Sequence, residues 1–248
     1  MPLHTTDALI LRTYKLGESD RIVVFLTRDR GKKRGVAKNA RQSRRRFGGA
    51  LEPMTCGRVS YVERERRELV FLNYVEPTRS PLLSADGEAL GYMGYFAELI
   101  DEWAQEADPN ETLFRLGTSM VEAIAAGIPV DPLARYFEYW LLRLEGVYPA
   151  LDQCPRCGRL VLDEGLALVV AERTYVCRTC APGGVHLSGA AVGFLRASGS
   201  WTPSEAAAAG TSEGALQDLE QAHERLIALH LEKEVRSLRV LKELRPEL

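Results

Sequence analysis

The sequence predicts a multidomain α+β protein: a small β-barrel first, a helical domain behind it, and a four-cysteine metal module set before the C-terminal helices. Three observations carry this expectation. Residues 1–80 hold four short runs rich in β-branched and aromatic residues among about five expected short strands, with no helical period between the first four. From about Glu88 the apolar spacing becomes that of helices. Two C-x₂-C pairs then stand nineteen residues apart. The expected domains are 1–80, 81–150, 151–186 and 187–248, the last packing with the second.

The strand signals are "DALILRTY", "DRIVVFLT", "RVSYVERE" and "ELVFLNYVE", with a charged corner at Glu65 to Glu68 before the last. Gly17, Gly31, Gly35, Gly48, Gly49 and Gly57 supply turns and bends. So many short strands without intervening helices point to a closed barrel and not to a βαβ unit. An OB-type barrel is the form most used for single-stranded nucleic acid, and an SH3-like barrel fits the strand count nearly as well.

The helical part opens with Ala89, Met93, Phe96, Ile100 and Trp103 on one stripe. Asp108-Pro109-Asn110-Glu111 offers a cap, a first-turn proline and an acid before Leu113, Leu116, Met120 and Ile124, and Gly127 closes that helix. Asp131-Pro132 repeats the start signal ahead of Leu133, Tyr136, Phe137, Trp140 and Leu144, which end at Gly146 and Pro149. Leu216, Leu219, His223, Leu226 and His230 mark a further helix, and "VRSLRVLKEL" continues it or starts another. These stripes read as core.

Cysteine spacing is the most specific signal. Cys154, Cys157, Cys177 and Cys180 form two metal knuckles at zinc-ribbon separation, and Gly158 after the second thiol permits a positive φ. Four thiolates fill a tetrahedral shell and leave no position for water, so the ion expected is structural: one zinc, with an Fe(Cys)₄ centre as the alternative that spacing allows. Paired disulfides are the competing reading. Five cysteines behind a start, "MPLHTTDALILR", without the basic and long apolar regions of a signal peptide fit a reducing, cytoplasmic compartment. Cys56 stands alone and reads as a small buried hydrophobe.

Charge is divided unevenly. Residues 1–80 carry 18 Lys or Arg and 9 Asp or Glu, whereas the whole chain has a formal charge of −2. Ten of these cations crowd one stretch: Arg28, Arg30, Lys32, Lys33, Arg34, Lys38, Arg41, Arg44, Arg45 and Arg46, against Asp29 alone. Such a block is either a phosphate-contact surface or a solvated charge run. Enzyme signatures do not emerge: Gly31-Lys32 is followed by Lys33, which breaks the nucleotide-loop pattern, and His230-Leu231-Glu232 lies on the wrong side of the cysteines for a zinc deaminase. Hence the chain has no catalytic residue to nominate.

The segment "LGESDRIVVFLTRDRGKKRGVAKNARQSRRRFGGALEP" resembles the N-terminal domain of the RecO family of recombination mediators. The family's G-E-x-D step stands here as Gly17, Glu18 and Asp20, and its T-x-x-x-G turn as Thr27 and Gly31. Its A-K-G-A-R segment is Ala37, Lys38, Asn39, Ala40 and Arg41, with Asn39 in place of glycine, followed by Arg46, Phe47, Leu51 and Pro53. The four cysteines and "LEKEVRSLRVL" are similar to later parts of the family. The resemblance implies an OB-fold, a helical domain and a zinc ribbon in a non-enzymatic protein at the nucleoid. It implies binding of single- and double-stranded DNA, annealing of complementary strands, and loading of RecA with RecR onto strands covered by single-strand-binding protein. Annealing requires lowered phosphate repulsion without a grip on bases, so the ten cations are expected to act through phosphate. Six of them in contact would give a log K against log salt slope of about −4. Tyr14, Phe25, Phe47, Tyr61, Phe71 and Tyr74 are candidates for base stacking or barrel core. A zinc-ribbon RNA-binding or transcription or translation accessory factor is the rival binding protein, and an RNA-modifying enzyme the rival catalyst.

Overall fold

The computed structural model describes residues 2–64, 68–80, 86–161 and 164–244. The chain forms two compact units, one from Met1–Gly127 with Val235–Leu248 and one from Ile128–Glu234. The charged corner expected at Glu65 to Glu68 falls outside the described residues except for Glu68.

In the first unit β1 (Leu3–Leu16), β2 (Asp20–Thr27), β3 (Gly31–Ala37), β4 (Cys56–Val62) and β5 (Val70–Arg79) close a barrel in the order β1-β2-β3-β5-β4. The β3–β5 pair is parallel and the others are antiparallel. This order settles the OB-fold over the SH3-like alternative. One strand serves two neighbours: Leu3–Leu9 of β1 pair with β4 and Ala8–Leu16 with β2, with a bulge between Ile10 and Arg12 that bends the strand round the barrel.

Alternate residues point inward, as a two-residue period demands: Ala8 and Ile10, Val23 and Phe25, Val59 and Tyr61, with Leu72 from β5. Leu9 and Leu11 are also buried, on the opposite face of β1. That face is covered by helices, which is why "ALIL" is continuous and not alternating. A helical turn, α1 (Arg44–Phe47), sits inside the basic stretch and sends Phe47, Ala50 and Leu51 into the barrel core.

Asp86 caps α2 (Gly87–Trp103) by accepting from the Ala89 N–H at 2.8 Å. The next helix, α3 (Glu111–Ala125), is capped by Asn110 and not by Asp108, two residues later than the Asp-Pro signal suggests. The reason is tertiary. The Lys32 N–H donates to the Gln105 carbonyl at 3.1 Å and the Ala107 N–H to the Lys32 carbonyl at 3.2 Å, so residues 105–107 form a bridge with β3 before the helix can start. Gly31, at φ +66, makes room for this approach: a Cβ there would lie 2.4 Å from the Asp108 backbone. Gly31→Ala is therefore expected to cost about 2–3 kcal/mol through left-handed strain and displacement of residues 105–108, measurable as a lowered denaturation midpoint.

In the second unit α4 (Val130–Leu144) begins at Val130, one residue before the expected Asp131-Pro132 cap, which falls within its first turn. A three-stranded sheet of β6 (Leu166–Val169), β7 (Thr174–Cys177) and β8 (Val185–Leu187) has the order β7-β6-β8. Three helices complete the unit: α5 (Gly189–Ser198), α6 (Pro203–Ala208) with a Thr202/Glu205 capping box, and α7 (Glu213–Leu231). Its interior holds a polar chain. Tyr175 and Tyr148 hydroxyls lie 3.5 Å apart, the Tyr148 hydroxyl is 2.9 Å from His223 Nε2, and His223 Nδ1 is 2.9 Å from Glu138, which pairs with Arg135 at 3.3 Å.

The last helix, α8 (Arg236–Leu244), belongs to the first unit and packs on α2. Its Arg236 and Ser237 N–H groups donate to Glu98 at 3.3 and 2.6 Å, and Glu98 also pairs with Arg12 of β1 at 3.3 Å. Burial opposes the charge on Glu98, but these donors and Arg12 hold its carboxyl below the usual range. Among the described residues no helix is long and apolar enough to cross a membrane.

Candidate nucleic-acid interface and metal centre

The basic stretch divides along β3. At its start, Arg28 pairs with Glu111 at 2.8 Å, Arg30 with Asp29 at 3.7 Å, Lys32 with Asp101 at 3.2 Å, Lys33 with Glu63 at 2.8 Å and Arg34 with Glu106 at 3.1 Å. Lys32 is only 8% exposed, enclosed by the segment that follows α2. Glu63 titrates below the usual carboxylate range, chiefly because Lys33 donates to it. Every cation at this end thus has an acid of its own.

Beyond the far end of β3 the pattern reverses. Lys38, Arg41, Arg44, Arg45 and Arg46 make no ion pair among the described residues. Their backbone is nonetheless fixed. The Asn39 N–H donates to Asp20 at 2.8 Å, the Arg41 N–H to the Ser19 carbonyl at 3.1 Å, and Arg41 Nη1 to the Glu18 carbonyl at 3.0 Å. Arg46 donates to the Lys38 carbonyl at 2.7 Å. The connection is stapled to the β1–β2 turn, and Asn39 at φ +53 takes the left-handed conformation for which asparagine is the best substitute for glycine. Four residues at about 3.3 Å each place roughly 13 Å of strand between Arg34, the last of the paired group, and Lys38, the first of the other.

Of the six aromatics, Phe25, Phe47 and Tyr61 are barrel core. Tyr14 and Tyr74 are exposed, and Phe71 is half-buried with the Arg64 guanidinium 4.4 Å and the Lys38 ammonium 5.7 Å from its ring centroid. Only these last three lie outside the barrel core.

The four cysteines converge as their spacing requires, with all Sγ atoms within 4.8 Å of one another. Cys154 and Cys157 share a turn closed by the Gly158 N–H donating to the Cys154 carbonyl at 2.9 Å, with Gly158 at φ +70. The Cys180 N–H donates to the Cys177 carbonyl at 3.0 Å in the second turn. Cys157 and Cys177 sulfurs lie 3.7 Å apart, and a tetrahedron of 2.3 Å metal–sulfur bonds has an edge of about 3.8 Å. The donor set therefore fits one four-coordinate metal ion.

Burial raises the Cys154 thiol, but N–H groups of Cys177, Cys157 and Arg156 outweigh it and bring the thiol down to about 6. Hydrogen bonds with Cys177 and Cys157 push Cys180 up to about 12. Thiols so crowded share protons, and a bound cation lets all four ionise. Cys56 lies apart from this cluster, half-buried on β4, with its thiol pushed up to about 12 by burial.

The model for Recombination protein O N terminal matches residues 1–81, and that for Recombination protein O C terminal matches residues 84–239. A protein named DNA repair protein RecO from Anaeromyxobacter sp. (strain K) is 36% identical over 242 residues, 96% of this chain and 95% of its own length. The RecO of Geobacter metallireducens is 33% identical over 246 residues, 98% of each chain, and that of Koribacter versatilis 42% over 162 residues, 65% of this chain and 66% of its own. With an OB barrel ahead of a four-cysteine module, and both family models matching in order, this chain belongs to the recombination protein O family.

Proposed function

We propose that the protein is a DNA-binding recombination mediator, not a bond-making catalyst. It binds single- and double-stranded DNA, anneals complementary strands and, with RecR, helps load RecA onto strands covered by single-strand-binding protein during recombinational repair in the nucleoid. One zinc ion on Cys154, Cys157, Cys177 and Cys180 has a structural part in it. Family membership supports the repair role, as do relatives named for DNA repair.

The observation that carries the DNA reading is the set of unpaired cations held on a fixed connection. Lys38, Arg41, Arg44 and Arg45 have no acid paired with them among the described residues, so phosphate is their natural counter-ion. The paired group from Arg28 to Arg34 contributes less, because phosphate must first displace Asp101, Glu106 or Glu111. Four contacts predict a salt slope of about −3 for single strands, shallower than ten unpaired cations would give. Reversing Arg41, Arg44 and Arg45 to glutamate should lower single-strand affinity and annealing rate on the order of a hundredfold at low salt. Reversal of Arg28 and Arg34 should do far less. Equal losses in the two sets, read by fluorescence anisotropy, would remove the assignment.

A further inference from the structure

Arg21 lies on β2, where it pairs across to Ala37 at the end of β3. It is half-buried, and among the described residues no carboxylate or hydrogen-bond acceptor meets its guanidinium. A partly desolvated cation without a counter-ion is costly unless one arrives from outside. Arg21 lines a cavity of about 450 Å³ together with Arg41 and Arg44, and Ala40, Leu51 and Pro53 supply apolar surface to it. Glu52, which also lines it, forms no ion pair with the three arginines.

The cavity is built, not incidental. Arg41 is aimed by its bond to the Glu18 carbonyl, Thr13 Oγ1 donates to the Leu51 carbonyl at 2.7 Å, and Leu51 is anchored in the barrel core. Three guanidiniums about one space match the fork geometry by which arginine holds phosphate oxygens. The volume lies at the small end of ligand pockets, enough for one nucleotide unit and too little for a base pair. A nucleotide within a duplex is held in its stack and cannot enter, whereas one in a single strand can turn out at small cost.

From this we infer that the Arg21–Arg41–Arg44 cavity seats one unpaired nucleotide of a DNA single strand, phosphate on the guanidiniums and base against the apolar wall. The inference rests on the reading that this connection meets DNA, and it adds the origin of a preference for single strands. Phosphate contacts at Lys38 and Arg45, outside the cavity lining, are open to either form of DNA; the cavity is open to one.

Two full-length variants test it by fluorescence anisotropy on a labelled single strand and the matching duplex at one salt concentration. Arg21→Met keeps the aliphatic stem and removes the charge; it should weaken single-strand binding about tenfold and duplex binding less than twofold. Gly49→Asn fills space beside the cavity without changing net charge, at φ +76 where asparagine is tolerated and where a Cβ meets nothing within 4 Å. It should weaken single-strand binding several-fold and leave duplex binding unchanged. Equal losses on both forms of DNA, or an unaltered single-strand affinity in both variants while their melting curves match the parent, would overturn the cavity as a nucleotide seat. Failure of the unsubstituted protein to bind either form would instead overturn the wider DNA reading.

Discussion

Joint replacement of Cys154 and Cys177 by serine is expected to unfold the cysteine module outright. A structural zinc contributes on the order of 10 kcal/mol of apparent binding energy, which exceeds the stability of the few strands it holds. The sheet of β6, β7 and β8 contains only four, four and three residues, too little to order itself. Loss of the metal should therefore appear as a lost thermal transition and as fast amide exchange in residues 166–187. A strong chelator should give the same result in the unsubstituted protein, and metal analysis should return one zinc per chain. Salt-dependent DNA binding should survive, because the unpaired cations belong to the other unit. An unchanged melting curve would sink the structural role, and one iron per chain would replace zinc by the other ion suited to four thiolates.

The second large effect is expected at Glu138. Its carboxylate lies between Arg135, 1% exposed, and His223, fully buried. Glu138→Ala removes the main counter-charge of a buried guanidinium and the acceptor for His223, a loss of about 3–5 kcal/mol. Glu138→Gln keeps the shape and should recover part of it. A pH effect accompanies the pair. Burial lowers the His223 pKa below its ordinary 6.5, although Glu138 opposes the shift. The folded protein then holds His223 neutral while the unfolded chain takes up a proton, so this contribution is complete above about pH 6.5 and declines as pH falls below it. Denaturant midpoints between pH 7.5 and 5 should show the decline, and His223→Gln should flatten it. A His223→Gln profile as steep as the parent's would remove His223 as the cause.

Most of the scaffold was legible because its signals are local. Runs of β-branched and aromatic residues mark four of the five strands, β3 "GKKRGVA" carrying no such run; the spacing of Ala89, Met93, Phe96 and Ile100 gave α2, and four cysteines gave the metal cluster, since two tight turns bring sulfur atoms together almost by themselves. What escaped depended on distant partners or on too few residues. The turn Arg44–Phe47 is four residues of mostly charge, with no room for an apolar period, and α6 is six residues, half of them alanine, without a stripe. Asp108-Pro109 has the grammar of a helix start, yet β3 claims the preceding backbone. The ten cations looked equivalent because Asp101, Glu106 and Glu111, which neutralise part of them, lie some seventy to eighty residues further on. Arg21 gives no sequence signal for the opposite reason. It stands alone within an apolar strand, and only the folded barrel brings it beside Arg41 and Arg44.

The return of α8 to the first unit has a temporal meaning. The second unit is an insertion: its 128–234 segment is synthesised after most of the barrel unit and before the helix that completes it. On the ribosome the barrel can close early, since its strands all lie before residue 80. Glu98, however, waits through the whole insertion for the N–H groups of Arg236 and Ser237. Until then α2 carries a carboxylate with Arg12 as a partner and two acceptor positions unfilled. During synthesis the nine-residue α8 can dock only after the whole 128–234 segment has been made. A nascent chain stalled before residue 235 would then display an assembled barrel on an unfinished unit, the species on which a chaperone would act.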